Sequence, residues 1–278
     1  MSYKIILDSC GELPAELQND NRFERVPLSL MVGDYQIMDD EDFDQKEFLH
    51  QVAQCPECPK SSCPSPQRYM EACNTEAEHV YIVTLSSHLS GSYNSAELGK
   101  KLYLEKYGNK DICVVDSHSA SCGQTQIGLL AMDLEEQGLP FTEITERLLR
   151  YRDEMLTYFV LDNLETLRKN GRLSAVKSIV AQTLNIKPVM SAIDGVIIQK
   201  SQTIGIRKAL AKMIDYMWKE IPELAKKRII ISHCNCPDRA AYVKDLLRSR
   251  ISDNEIIILE TAGVSSMYAN DGGVIITA

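Results

Sequence analysis

The sequence predicts an α/β fold, and three observations carry that prediction. Short runs rich in isoleucine and valine recur along the whole chain. Segments with helical spacing of apolar residues stand between most of them. Runs such as Ile229-Ile-Ile and Ile256-Ile-Ile-Leu259 are apolar without alternation, as strands covered on both faces must be. Strand–helix alternation of this kind builds parallel βαβ units. At 278 residues the natural division is into two domains of ordinary size.

The strands expected on this pattern are Tyr3–Asp8, Arg25–Leu30, His79–Leu85, Ile112–Asp116, Thr157–Leu161, Gly195–Lys200, Arg228–His233, Glu255–Leu259 and Val274–Thr277. Ser65-Pro66 marks a helix start, with serine as the cap and proline at the first helical position. A helix from Ser92 to about Tyr107 places Ala96, Leu98 and Leu102 toward one side. Gly123–Glu136, Phe141–Asp153, Ala175–Leu184, Ile206–Trp218 and Asp238–Arg250 complete the helices. The domain boundary is expected near Glu154–Thr157, after a charged helix end and before Tyr158-Phe-Val160, giving units 1–155 and 156–278.

Composition narrows the function. Thirty Lys and Arg against 39 Asp and Glu leave a net charge of −9. That balance disfavours nucleic acid as the partner, because affinity for a phosphate backbone comes from clustered Lys and Arg. An acid at Asp8 interrupts the N-terminus before a signal-peptide hydrophobic stretch can form, and no run of about 18 apolar residues offers a membrane span. A cytoplasmic protein is expected. Nine cysteines, an odd number in a chain this long, read as reduced thiols. Cys55-Pro-Glu-Cys58 with Cys63 offers one zinc knuckle, but Cys234-Asn-Cys236 has the wrong spacing for a second. No metal or other cofactor is expected.

The hydroxyls fall in a pattern of their own. Asp8-Ser9 follows the first strand, Ser61-Ser62-Cys-Pro-Ser65 precedes a helix, Ser86 to Ser92 links a strand to a helix, and Asp116-Ser-His-Ser119 follows another strand. In a parallel sheet, strand-to-helix loops emerge together at the carboxyl end, so these segments should converge. Ser90-Gly91-Ser92 ahead of a helix offers free N–H groups and neutral donors to a carboxylate or phosphate. Each serine taken singly reads as a cap or turn residue, as these types usually are after a strand; it is the four clusters on one edge that point to a site. Beyond Gly171, where a helix ends, Arg172 is a cation able to reach an anion, with Lys187 and Arg207 as weaker candidates. Two rival readings stand beside this one. A serine hydrolase or acyltransferase would pair Ser90 or Ser62 with His88 or His118, although no Gly-x-Ser-x-Gly elbow is present. A zinc module would use Cys55, Cys58 and Cys63.

Taken in order, these segments resemble the DegV family of bacterial fatty-acid-binding proteins. The resemblance is carried by Ile5-Ile-Leu-Asp8-Ser9, Ser61-Ser-Cys-Pro64-Ser65, Leu85-Ser-Ser-His-Leu-Ser90-Gly91-Ser92-Tyr93, Val114-Val-Asp116-Ser117, Leu167-Arg-Lys-Asn-Gly171-Arg172 and Ile186-Lys-Pro188 with Asp194-Gly195. It spans nearly the whole chain. It implies an N-terminal three-layer domain with a parallel sheet, a C-terminal two-layer domain with a mixed sheet, and a long-chain fatty acid between them. It implies that Ser61, Ser62, Ser90, Gly91 and Ser92 hold the carboxylate, and that Arg172 lies near the head group or a partner surface. The protein would then be a carrier and not an enzyme, with a separate fatty acid kinase as the partner that phosphorylates the bound acid. One departure bears on that coupling: Tyr268 stands where family members carry a histidine, and a phenol cannot carry the positive charge of an imidazolium.

Overall fold

The structure, a computed structural model, describes residues 2–174, 176 and 185–278. The first half of the chain runs β1 (Tyr3–Asp8), β2 (Phe23–Val26), β3 (Ser29–Val32), β4 (Tyr35–Met38), α1 (Gln45–Gln54), β5 (Lys60–Ser62), α2 (Pro66–Ala72) and β6 (His79–Thr84). It continues with α3 (Ser92–Tyr107), β7 (Asp111–Asp116), α4 (Cys122–Glu136) and α5 (Phe141–Glu154). The second half runs β8 (Thr157–Val160), α6 (Glu165–Lys169), β9 (Ile186–Ile193), β10 (Val196–Ile204), α7 (Ile206–Glu220), β11 (Ile229–His233), α8 (Pro237–Arg248), β12 (Ile256–Glu260), α9 (Gly263–Ala269) and β13 (Val274–Thr277).

The fold is α/β with one parallel and one mixed sheet. β2-β1-β6-β7 form the parallel sheet, every pair in it parallel. All six residues of β6 are buried, because helices cover both faces: α2 and α3 on one, α4 and α5 on the other. In the second half β10-β9-β8-β13-β11-β12 form the mixed sheet, in which only β11 and β12 run parallel. One face packs on α7 and α8 through an apolar cluster that includes Met213, Met217, Ile229 and Val243. α4 packs on β1 and β6 of the first sheet and on β11 and β13 of the second. Ile5, Leu7, Ile127, Ile230 and Leu259 therefore share one core, which locks the two halves together.

Several local rules are visible in the geometry. Ser65 accepts from Arg68 N ahead of Pro66, as expected for that helix start. The strand expected over Arg25–Leu30 is instead two strands, β2 and β3, because Pro27 lacks the N–H a continuous ladder needs. β3 turns away into a small antiparallel sheet of order β4-β3-β5, which the sequence reading did not anticipate. α1 is a further addition, capped by Asp44 accepting from Lys46 N and Glu47 N. β9 and α9 were likewise not anticipated. The helix expected over 175–184 falls, except for one residue, outside the described residues. Among the described residues no helix is long and apolar enough to cross a membrane.

Candidate functional site

The loops at the carboxyl end of the parallel sheet are tied to one another through buried side chains. Asp8, at the end of β1, accepts from Leu85 N at 2.8 Å, Gln124 Nε2 at 2.8 Å and Cys10 N at 3.3 Å. Complete burial pushes its carboxyl up to about 6 even though these bonds oppose the shift. Asp116, at the end of β7, accepts from Ser87 N at 3.0 Å and His118 N at 3.3 Å, while Ser86 N donates to Ser119 O at 2.8 Å. The loops after β1, β6 and β7 thus do meet, as their position in a parallel sheet requires.

β5 adds a fourth segment by strand alternation. Pairing with β3 sets Ser61 opposite Leu30 on the inner face and turns Ser62 outward, where its hydroxyl meets Ser29 Oγ at 2.6 Å. Facing these loops is the second half of the chain. Thr157, Phe159 and Leu161 point the same way from β8 and its end, joined by Ala192, Gly195 and Ile197 from the β9–β10 hairpin and Ile275 from β13. α9 closes the site. Its N-terminus is fixed by the buried Asp39, which accepts from Gly263 N at 2.7 Å and Val264 N at 2.9 Å. That anchoring presents Val264, Ser265 and Tyr268 inward.

Between the halves lies a mostly apolar cavity. It holds about 820 Å³ free of atoms, mouth included, but the centre of a water molecule can reach only about 100 Å³ of it. The space is therefore narrow, better suited to a slender chain than to a ring system. Its polar groups are few and several gather at one place. Tyr268 OH lies 3.4 Å from Ser61 Oγ. Burial pushes the Tyr268 phenol up, and the Ser61 hydrogen bond and the Arg172 charge oppose that shift. Arg172 follows the turn at Gly171, its N–H closing the end of α6 on Leu167 O at 2.8 Å. Its Nε donates to Leu89 O at 3.1 Å, next to Ser90, and its Nη1 to Asn170 O. Among the described residues Arg172 has no acidic partner, its Nη2 has no hydrogen-bond acceptor, and no acid lines the cavity.

The expected site residues therefore divide. Ser61, Ser90, Arg172 and Tyr268 line the cavity. Ser62 does not; strand alternation turns it away onto the exposed side of the small sheet, whereas the sequence expectation places it beside Ser61 in the site. Gly91 and Ser92 stand one step behind Ser90, with Ser92 fully buried and its N–H and hydroxyl both engaged with Ser90 Oγ. Lys187 is spoken for by Asp162 at 2.7 Å, and Arg207 lies over the Tyr242 ring. Among the described residues neither His88 nor His118 bonds a serine hydroxyl through its ring, which leaves the hydrolase reading without a nucleophile–base pair. Nor do three His, Cys, Asp or Glu side chains among the described residues gather to hold a metal ion. The sequence reading missed Cys10, Phe159, Ile197, Ser265 and Ile275, all of which line the cavity. Nothing in a local window distinguishes such residues from ordinary core.

A family model described as "Uncharacterised protein, DegV family" matches residues 2–278. The chain belongs to the DegV family. A DegV domain-containing protein of Streptococcus pneumoniae is 34% identical over 280 residues, covering 99% of this chain and 98% of that protein. Among solved structures, a DegV family protein from Ruminococcus gnavus, with vaccenic acid, is 48% identical with a TM-score of 0.97, covering 100% of both chains. The fatty acid kinase B3 protein of Streptococcus pneumoniae, loaded with linoleic acid, is 32% identical with a TM-score of 0.89, covering 100% of this chain and 99% of that one. The DegV match extends through both sheets and so includes both walls of the cavity.

Proposed function

We propose that this DegV protein binds a long-chain fatty acid, its tail in the apolar cavity and its carboxylate among Arg172, Ser61, Ser90 and Tyr268. The observation that carries this reading is the guanidinium of Arg172, which among the described residues has no acidic partner, on the wall of a mostly apolar cavity that no described acid lines. A cation in such a place calls for an anionic ligand with a hydrocarbon body. The hydroxyls of Ser61, Ser90 and Tyr268 complete a neutral donor set around it, with Gly91 and Ser92 holding Ser90 in position. Units 1–155 and 156–278 supply the two walls.

Burying the tail yields ~0.8 kcal/mol per methylene, roughly 10 kcal/mol gross for about a dozen. The polar end therefore decides orientation more than total affinity. The fatty acids in the Ruminococcus and pneumococcal relatives support the ligand class. The likeness to the B3 protein of a fatty acid kinase supports a cytoplasmic carrier role, in which this chain performs no chemistry and hands the acid to a separate kinase. Replacing Ser61 and Ser90 together by alanine tests the site. Hydrogen bonds to a charged group contribute about 1.5–3 kcal/mol each, so losing both should lower affinity for a long-chain acid at least about 100-fold with the fold intact. Unchanged affinity would remove both serines from the site.

A further inference from the structure

Among the described residues, the β9–β10 hairpin is held differently from the other walls of the cavity. β8 lies inside the six-stranded sheet, bonded to β13 on one side and β9 on the other. α9 is anchored by Asp39, and the loops after β1, β6 and β7 are cross-tied through Asp8 and Asp116. The hairpin joins the sheet through two register pairs, Tyr158↔Ser191 and Phe159↔Met190. Its second strand is the sheet's edge, and only Ile197 of its nine residues is buried. From Ala192 round to Ile197 the hairpin overhangs the sheet, with Ile193 56% exposed on its outside. Its base is firm: Lys200 Nζ holds Glu220 at 2.7 Å where the register slips between Gln199 and Ser201.

The overhanging tip lands on the opposite half of the chain. Asp194 and Gly195 both have positive φ, 47° and 78°, the backbone of a tight two-residue turn. Ser86 Oγ donates to Gly195 O at 3.1 Å, the one side-chain hydrogen bond from the first half to this tip among the described residues. The fit admits no side chain. A Cβ at residue 195 would overlap Ser86 Oγ and stand 3.2 Å from His118 Cα. Inside the closed tip, Ala192, Gly195 and Ile197 form one wall of the cavity.

The geometry points to this hairpin as the door through which the acyl ligand enters and leaves, with Gly195 on Ser86 as its latch. The inference deepens the fatty-acid reading above and rests on it. A dozen methylenes need more room than the roughly 100 Å³ that the centre of a water molecule can reach in this cavity, so one wall must give way to admit them. The wall with the fewest ties among the described residues opens at least cost. The bulge at Lys200 lies where the overhang meets its anchored base and gives it a place to bend.

The test is stopped-flow uptake and release of cis-parinaric acid, a fluorescent long-chain acid, by the full chain and by Gly195→Ala and Ser86→Ala. Neither residue is among the proposed carboxylate ligands. Loosening a latch raises the opening frequency and so speeds both association and release. Ser86→Ala removes the one hydrogen bond to the hairpin tip, along with the bond that Ser86 Oγ accepts from His88 N within its own loop, and should raise both rates about two- to tenfold. Gly195→Ala, which cannot seat at all, should raise them further. Slower or unchanged association in both variants, with circular dichroism like that of the parent, makes the tip a passive wall and overturns the inference. If the parent protein itself takes up no acid, the underlying fatty-acid reading fails instead, and the two failures are told apart by that control.

Discussion

Arg172 should couple to the ligand's charge and to nothing else about it. The guanidinium is half-buried on the cavity wall, with Nη2 free of partners among the described residues. Two unit charges 4 Å apart attract by about 1 kcal/mol in water and about 4 kcal/mol near a protein surface. Hydrogen bonds to charged groups measure about 1.5–3 kcal/mol. A coupling of about 2 kcal/mol, roughly 30-fold in affinity, follows for a carboxylate seated against Arg172. Arg172→Ala also removes the bond to Leu89 O and so disturbs packing, which a single affinity would not separate from lost charge. The assay is therefore a cycle: calorimetric or fluorescence affinities of a long-chain acid and of its methyl ester, each against parent and variant. Packing losses affect acid and ester alike and cancel. The parent should prefer the acid over the ester by roughly 30-fold more than Arg172→Ala does. Equal preferences in the two proteins would mean that the carboxylate does not sit at Arg172.

Two further predictions concern the frame around the site. Glu12 is buried against Ser121 Oγ at 2.8 Å and Ala262 N at 3.3 Å, and burial pushes its carboxyl up from 4.5 to about 7. A carboxyl raised in the folded state contributes its full stability below pH 4.5 and loses it as pH rises through 7, about 3 kcal/mol in all. Urea unfolding from pH 5 to 8 should show the parent losing stability relative to Glu12→Gln, and parallel curves would refute the assignment. In α4, a Cβ at residue 123 would overlap the Ser119 side chain and press on Thr157 Oγ1 at 3.3 Å. Gly123→Ala should therefore lower stability by about 1–3 kcal/mol in thermal unfolding, and an unchanged midpoint would show that Ser119 yields freely.

Much of the fold was legible because its signals are local and periodic. β1 and β13 announce themselves as apolar runs bounded by polar residues, and α2 by the Ser65-Pro66 cap. The missed elements lack such a signal. α1 packs inward through Phe48, Leu49 and Val52 alone, an apolar stripe little more than one turn long, and the strands of the small sheet are three or four residues long. α9 buries six of its seven residues, so it has no polar face to set a period. At the site, Ser61, Ser90 and Arg172 were legible as donors beside chain breaks. Choosing Ser61 over Ser62 needs the register of β5 on β3, a pairing between distant segments. The apolar wall of Phe159, Ile197 and Ile275 exists only once the mixed sheet faces the loops of the parallel one.

The most direct test of the central claim is native mass spectrometry of the purified protein, followed by denaturation and identification of what is released. The account predicts the mass of the chain plus one long-chain fatty acid, or uptake of one equivalent on incubation with such an acid. A bare mass that stays bare after incubation with acids of varied length and unsaturation would contradict it.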